Sequence, residues 1–321
     1  MAAVPEARIP QTVDLWQIRV EDLGPLFEEE IRAWRRDLSW DFQTSADLIR
    51  RFIDVRALNG YALTMGGELA GYAYFVGEEH KGLIGDLFVR EQYRSADTEY
   101  CLLAAVVDRL TGTRAVRRIE SQLMMTRSLG QRPLPAAKFA RSYRRNFMMV
   151  DVRTASRLPE RSFESLVFLP WIERHQDETA RLIASAYRGH IDGDINDQYR
   201  SPAGARRFLM NIVQYPGCGT FFQPASWAAI HTGNGQLCGV SLTSMVAPEV
   251  GHVTQICVAP GVKGKGVGYE LLRRSLVTLA EAGAQSASLT VTASNDSAVR
   301  LYERVGFDTV RQFPAFVWEG F

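Results

Sequence analysis

The chain has 321 residues, which at roughly 100–200 residues per domain predicts two domains. Hydrophobic residues make up 46% and charged residues 23%, an ordinary globular composition without the bias of a disordered chain. Lys and Arg number 37 against 36 Asp and Glu, a formal charge of +1, so no global attraction to nucleic acid or anionic membrane is expected. No apolar run is long enough to span a bilayer. The opening MAAVPEARIPQTVD lacks the charged-then-apolar layout of a secretory signal. Cys101, Cys218, Cys238 and Cys257 lie scattered in apolar stretches with no CxxC pair. They read as reduced thiols of a cytoplasmic protein. The histidines show no metal-ligand spacing, so no metal site is expected.

In chain order, residues 15–19 read as a short strand and 23–36 as an amphipathic helix. The segment GYALTMGGELAGYAYFV is a hairpin about Gly66-Gly67. IGDLFVREQYRSADTEYCLLAAVVDRL is a strand, a loop and a helix, and residues 127–135 are a loop. RSYRRNFMMV follows, and then a Pro- and Arg-containing linker over residues 154–165. The second half repeats this order. Residues 166–169 read as a strand and 179–188 as a helix. SWAAIHTGNGQLCGVSLTSMV is a hairpin about Asn234-Gly235, and HVTQICVAPGVKGKGVGYELLRRSLVTL is a strand, a loop and a helix. A shift of 169 residues pairs Val89 with Val258, Arg94 with Lys263, Tyr100 with Tyr269 and Leu102-Leu103 with Leu271-Leu272 without a gap. RSYRRNFMMV also resembles RLYERVGFDTV, which would set Tyr143 against Tyr302. Four matching blocks in one order predict a duplicated α/β unit, with copies at 1–155 and 165–321.

The segment VAPGVKGKGVGYELL carries the chemistry. A β-branched strand ends at Val258, Pro260 stops ladder pairing, and glycines stand at 261, 264, 266 and 268 before a helix that starts near Val267. A glycine-rich turn feeding a helix N-terminus leaves amides without partners, and Lys263 and Lys265 add charge. That predicts a phosphate-bearing ligand without naming it. A P-loop would need Gly-Lys followed by Ser or Thr, and a dinucleotide fingerprint would need a third glycine; the sequence supplies neither.

Lys263-Gly264-Lys265-Gly266-Val267-Gly268 resembles the pyrophosphate loop of the GNAT superfamily of N-acyltransferases, usually written Q/R-x-x-G-x-G/A, with Lys in place of the first Gln or Arg. Thirty residues on, LTVTASNDSAVRLYERVGF resembles the family's second hallmark, in which Asn295 or Asp296 caps a helix carrying Tyr302, and Gly306 ends it. The resemblance spans residues 165–321. It implies two tandem domains, each a mixed, mostly antiparallel central sheet flanked by helices.

It further implies an acetyl-CoA-dependent N-acyltransferase in which an amine attacks the thioester directly. Val258, Lys263, Gly264, Lys265, Gly266, Val267, Gly268, Tyr269, Asn295 and Tyr302 would hold the cofactor. Tyr302 matches the family's general acid, and the N–H near Val258 its oxyanion donor. His252, where some relatives carry a glutamate, is the candidate base, with Glu249 acting through water as another. Asp192, Asp194 and Asp197 are candidates for attracting a cationic small-molecule or peptide amine. A non-catalytic acyl-CoA sensor is the alternative. In the first copy Asp97 and Glu99 stand where Gly266 and Gly268 stand in the second, so their carboxylates are expected to repel a diphosphate and leave that copy unable to bind acyl-CoA.

Overall fold

The computed structural model describes residues 9–215, 217 and 219–321; the first eight residues of the opening segment and Cys218 lie outside the described residues. Two compact units emerge, Met1–Arg144 with Phe313–Phe321, and Arg145–Gln312. The elements of the first half are β1 (Gln11–Asp14), α1 (Gly24–Leu38), α2 (Gln43–Asp54), β2 (Asn59–Met65), β3 (Glu68–Glu78), β4 (Lys81–Val89), α3 (Ala96–Thr111), β5 (Arg118–Gln122) and β6 (Ala140–Asp151). Those of the second are β7 (Leu166–Pro170), α4 (Gln176–Ala186), α5 (Ile191–Ile195), α6 (Pro202–Gln214), β8 (Thr220–Phe221), β9 (Trp227–His231), β10 (Leu237–Ala247), β11 (Val250–Val258), α7 (Val267–Glu281), β12 (Ser286–Thr292), α8 (Asp296–Val305) and β13 (Asp308–Glu319).

Each unit has a mixed, mostly antiparallel sheet with helices against it. In the first, β1 to β5 lie in chain order, and Ala315–Glu319 of β13 pairs antiparallel with β5. In the second the order is β7-β9-β10-β11-β12, closed by Arg145–Asp151 of β6 antiparallel to β12. The compact units therefore divide the chain at 144/145 and 312/313, whereas the sequence suggests a cut at 155–165. Strand pairing, which is non-local, sets this division.

The duplication extends to irregularities. β4 and β11 stand 169 residues apart end to end. Each pairs in parallel with the next strand over four residues only, Lys81–Ile84 with Arg118–Ser121 and Val250–Val253 with Ser286–Leu289. Each then carries a one-residue bulge, at Gly85 and Thr254, where the register against β3 and β10 slips. A bulge bends its strand. Beyond it β4 and β11 part from their parallel neighbours, opening a wedge. Gly85 is required there, since a Cβ would lie 2.1 Å from the Tyr74 ring.

Turn chemistry accounts for the first hairpin: Gly66 and Gly67 have φ of +60° and +85°, the two positive values a two-residue turn uses. In the second only Gly235 is positive, at +70°, because its loop is longer. Two predicted elements differ. Residues 15–17 form a 3-10 turn, since Asp14 accepts the Trp16 N–H at 2.9 Å and ends β1. RSYRRNFMMV lies wholly within strand β6, whereas its proposed counterpart RLYERVGFDTV starts on α8, through Val305, and ends in β13. Tyr143 is thus a strand residue with no correspondence to Tyr302.

Apolar packing fixes the helices. Leu102, Leu103, Val106 and Val107 of α3 are fully buried with Ile119 and Trp318, at about 1.5–3 kcal/mol per side chain. In the second unit alternation along β10 sends Val240 and Leu242 to a cluster with Ile183 of α4 and Leu209 of α6. Ser241 points the other way and bonds Ser275 of α7 at 2.8 Å. Cys101, Cys238 and Cys257 are free thiols. Among the described residues there is no metal-binding cluster and no helix long and apolar enough to cross a membrane.

The first unit buries two carboxyl groups together, Glu30 of α1 and Asp86 of β4. Tyr72 Oη donates to Glu30 at 2.9 Å, and the Leu87 N–H donates to Asp86 at 2.7 Å. Burial, then the adjacent Asp86, push Glu30 well above the carboxylate range, and burial pushes Asp86 up to about 6. The folded pair keeps a proton that the unfolded chain releases from about pH 4, so stability falls as pH rises from about 4 past 6. Asp86→Asn keeps the Leu87 bond and offers an N–H to Glu30. We expect its Tm at neutral pH to exceed the parent's by about 2–4 °C, with a shallower loss of Tm as pH rises; equal slopes for the two proteins would contradict the shared proton.

Candidate active site

The glycine loop sits where β11 hands over to α7. A 3-10 turn, Pro260–Val262, leads to Lys263, and Gly264 and Gly266 take φ of +79° and +89°. Side chains rarely adopt that region, so glycine is the residue that lets this backbone turn. Gly266 is the N-cap of α7 and supplies no side-chain acceptor. The first amides of α7 therefore lack an intrahelical partner and lie at the positive end of its dipole. Lys263 and Lys265 are exposed beside them. Arg161 adds a third cation, its Nη1 lying 2.5 Å from where a Gly266 Cβ would be. Glu270, fully buried in the next turn, is held by Arg273 and Arg274 at 2.8–3.0 Å. A cradle of open amides rimmed by cations fits a diphosphate.

The wedge presents polar backbone beside this cradle. The Ala259 N–H bonds the Cys238 carbonyl at 2.7 Å. Antiparallel alternation then turns the N–H and C=O of Val258 and Ile256 away from β10, into the wedge. The Tyr187 hydroxyl reaches the Ile256 carbonyl at 3.5 Å, and Gln255 Nε2 donates to the same hydroxyl at 3.1 Å.

Tyr302 lies on α8, one helical face of which is buried by Tyr302 and Val305. Asn295 caps this helix, its Oδ1 accepting from the Ala298 N–H at 3.4 Å, and Gly306 ends it at φ +102°. Tyr302 is 7% exposed. Burial, then the charge of Asp192, raise its phenol above the ordinary tyrosine range, with Arg145 opposing. Burial pushes the neighbouring Cys257 thiol up to about 12, so it stays protonated at neutral pH. Asp192 pairs with Arg145 at 2.6 Å and accepts from Thr292. His190 stands between Asp192 and Asn295.

Some residues singled out in the sequence do not join this cluster. His252 is buried within the sheet, with Nδ1 2.9 Å from Ser288 Oγ and its ring stacked on Phe147. Burial lowers its pKa to about 3, so it stays neutral and is a poor proton acceptor. Glu249 occupies the turn before β11, its carbonyl bonding the Gln285 N–H; nine strand residues set it about 30 Å from Val258. Asp194 faces solvent beside Arg200. Of the three aspartates in that loop, Asp192 is the one whose charge acts on Tyr302. Sequence reasoning missed Arg145 and His190. The only signal for His190 was its place within the presumed acceptor loop, and Arg145 belongs by sequence to the other copy.

The matching place in the first unit is closed by different means from those expected. Asp97 points outward and pairs with Arg132. Glu99 turns inward and accepts the N–H groups of Arg127 and Ser128 at 2.7–3.3 Å, because a buried carboxylate seeks unpaired donors. The start of α3 is self-capped: Ser95 Oγ accepts the Thr98 N–H at 3.2 Å and Thr98 Oγ1 the Ser95 N–H at 2.9 Å. Arg94 folds back over Phe88 and donates to the Val89 carbonyl at 2.9 Å, inside the wedge. For the second unit, Gly266→Ala should cost about 1–2 kcal/mol in thermal unfolding, from its left-handed φ. Gly268→Ala, whose Cβ meets nothing nearer than 3.7 Å, should be neutral; equal effects would refute this reading of the loop.

The acetyltransferase (GNAT) family model matches residues 195–307. Over 248 residues the chain is 30% identical to a mycothiol acetyltransferase of Thermobispora bispora, a match covering 75% of this chain and 77% of that protein. A GCN5-related N-acetyltransferase from Sphaerobacter thermophilus shares the fold with a TM-score of 0.66 at 17% identity, over 99% of this chain and 97% of that one. A tandem GNAT protein from the clavulanic acid biosynthesis pathway does so at 0.59 and 14% identity, over 97% and 98%. The bulged, splayed strand, the open glycine loop and these likenesses agree: the chain belongs to the GNAT family of acetyltransferases.

Proposed function

We propose that the second unit transfers the acetyl group of acetyl-CoA to a primary amine by direct attack within a ternary complex. The observation that carries this reading is the uncapped start of α7 beside the β11–β12 wedge, with Tyr302 close to the charged Asp192–Arg145 pair. Acetyl-CoA supplies an activated thioester. The amides of Gly264 and of residues 266–269, with the side chains of Lys263 and Lys265, would hold its diphosphate. The Val258 N–H, turned into the wedge, would donate to the carbonyl oxygen as negative charge develops there. Tyr302, kept protonated by its surroundings, would donate to the departing sulfur, and the Asn295 cap fixes the helix that carries it. The likeness to a mycothiol acetyltransferase makes small-molecule amines the acceptors to try first. The first unit, with its self-capped helix and Arg94 in the wedge, would bind no acyl-CoA.

The test is calorimetry with CoA, followed by thiol release from acetyl-CoA with glucosamine, alanine methyl ester, spermidine and kanamycin as acceptors. One CoA per chain is expected. Gly266→Asp should abolish binding, and two sites per chain, or binding untouched by Gly266→Asp, would overturn the assignment. Tyr302→Phe should lower kcat by about 100-fold at nearly unchanged CoA affinity. Because its phenol is shifted upward, Tyr302 should cause no loss of rate below about pH 10; equal kcat in the two proteins would remove it from the mechanism.

A further inference from the structure

Acyl transfer needs a group to take the proton of an acceptor ammonium, and the buried, neutral His252 is unsuited to it. His190, on the loop between α4 and α5, is placed differently. It is the N-cap of α5, where its Nδ1 accepts the Asp192 N–H at 3.2 Å, with Asp192 Oδ2 3.5 Å away. Its Nε2 lies 3.3 Å from Asn295 Nδ2, at the cap of the helix that bears Tyr302. Its ring stands edge-on to Tyr187 at 5.3 Å, and Tyr187 reaches into the wedge at Ile256. Only part of the ring is covered, with 23% of the side chain exposed. A solvent-borne amine can therefore approach it. The other Asp192 oxygen is held by Arg145 at 2.6 Å and by Thr292. Arg145 holds Asp192 in place, and Arg145 Nε is itself buried without a protein acceptor, as at a site completed by a polar ligand. Titratable groups around the imidazole are Asp192 and Tyr187 in contact, and Arg145, Tyr302 and Cys257 beyond them; Asn295 is neutral.

We infer that His190 is the general base of this transferase, accepting a proton from the acceptor ammonium, with Asp192 as its positioning residue. The inference presupposes the acyl-transfer reading of this unit. The ammonium gives one proton to the imidazole, which later releases it to solvent. The freed lone pair attacks the thioester carbonyl carbon, so that a C–N bond forms and the C–S bond breaks. Sulfur leaves with the bonding pair and takes a proton from Tyr302. The second proton of the attacking nitrogen restores the phenol. The products are the N-acetylated amine, CoA as the free thiol and one proton.

The experiment is the pH dependence of kcat for thiol release, with saturating acetyl-CoA and the amine of the panel above that the parent uses fastest. The parent should lose rate toward acid as the imidazole protonates. His190→Gln should lower kcat by about 100-fold and lose that acid limb, with CoA affinity by calorimetry within twofold of the parent as the check on folding. Asp192→Asn, which keeps the ring, should lower kcat by about 10-fold with CoA affinity again within twofold of the parent. A purely structural role would leave the acid limb in place in His190→Gln, and that result overturns the inference. Absence of thiol release with every amine, despite normal CoA binding, would instead contradict the acyl-transfer reading and this role with it.

Discussion

The first turn of an α-helix leaves several N–H groups with no acceptor inside the helix, and the two copies dispose of them in opposite ways. At α3, Ser95 Oγ takes the Thr98 N–H and Thr98 Oγ1 the Ser95 N–H, so this helix start carries its own side-chain cap. At α7, Gly266 has no side chain to offer, and the donors stay open within a ring of Lys263, Lys265 and Arg161. Cations gathered at the positive end of a helix dipole repel it and each other. Such an arrangement is favourable once an anion is present. On otherwise equivalent scaffolds the two units thus differ in whether side chains cap this helix start or leave it bare.

The scaffold contributes by failing to pair. After four residues of parallel ladder and a bulge, β11 runs on with the Val258 N–H turned into the wedge and the Ile256 carbonyl met there by the Tyr187 hydroxyl. Those groups would be lost to hydrogen bonding in a continuous sheet. They become useful because α8 brings Tyr302, and α5 brings Asp192, to the same region. The same wedge exists in the first unit, but Arg94 occupies it by donating to the Val89 carbonyl. There a long side chain of the protein satisfies the backbone that a ligand would otherwise meet.

Much of this was legible in the sequence, for local reasons. The Gly66-Gly67 hairpin, the start of α7 at Val267 and the offset of 169 residues each follow from turn chemistry or periodicity. The non-local features were not. Asp97 and Glu99 look like carboxylates aimed at a phosphate site, yet Glu99 turns away to cap the amides of Arg127 and Ser128, partners that its own helix does not reveal. RSYRRNFMMV and RLYERVGFDTV share letters and differ in structure, because strand pairing with β12 decides the first and the Asn295 cap and Gly306 stop the second. The same pairing carries Arg145 to Asp192, which nothing in the spacing of the two residues suggests. His252 drew attention by chemistry and place on its strand, but burial beside Ser288 and Phe147 removes its basicity, while His190 keeps an exposed edge.

Main-chain amides left open at the start of α7 would become protected once a diphosphate occupies them. Amide hydrogen exchange of the full chain, with and without saturating CoA, tests it most directly. The account predicts slowed exchange over residues 264–269 and at Val258 on adding CoA, and unchanged exchange over residues 95–100. Protection over 95–100, or none at Gly266 with CoA demonstrably bound, would contradict it.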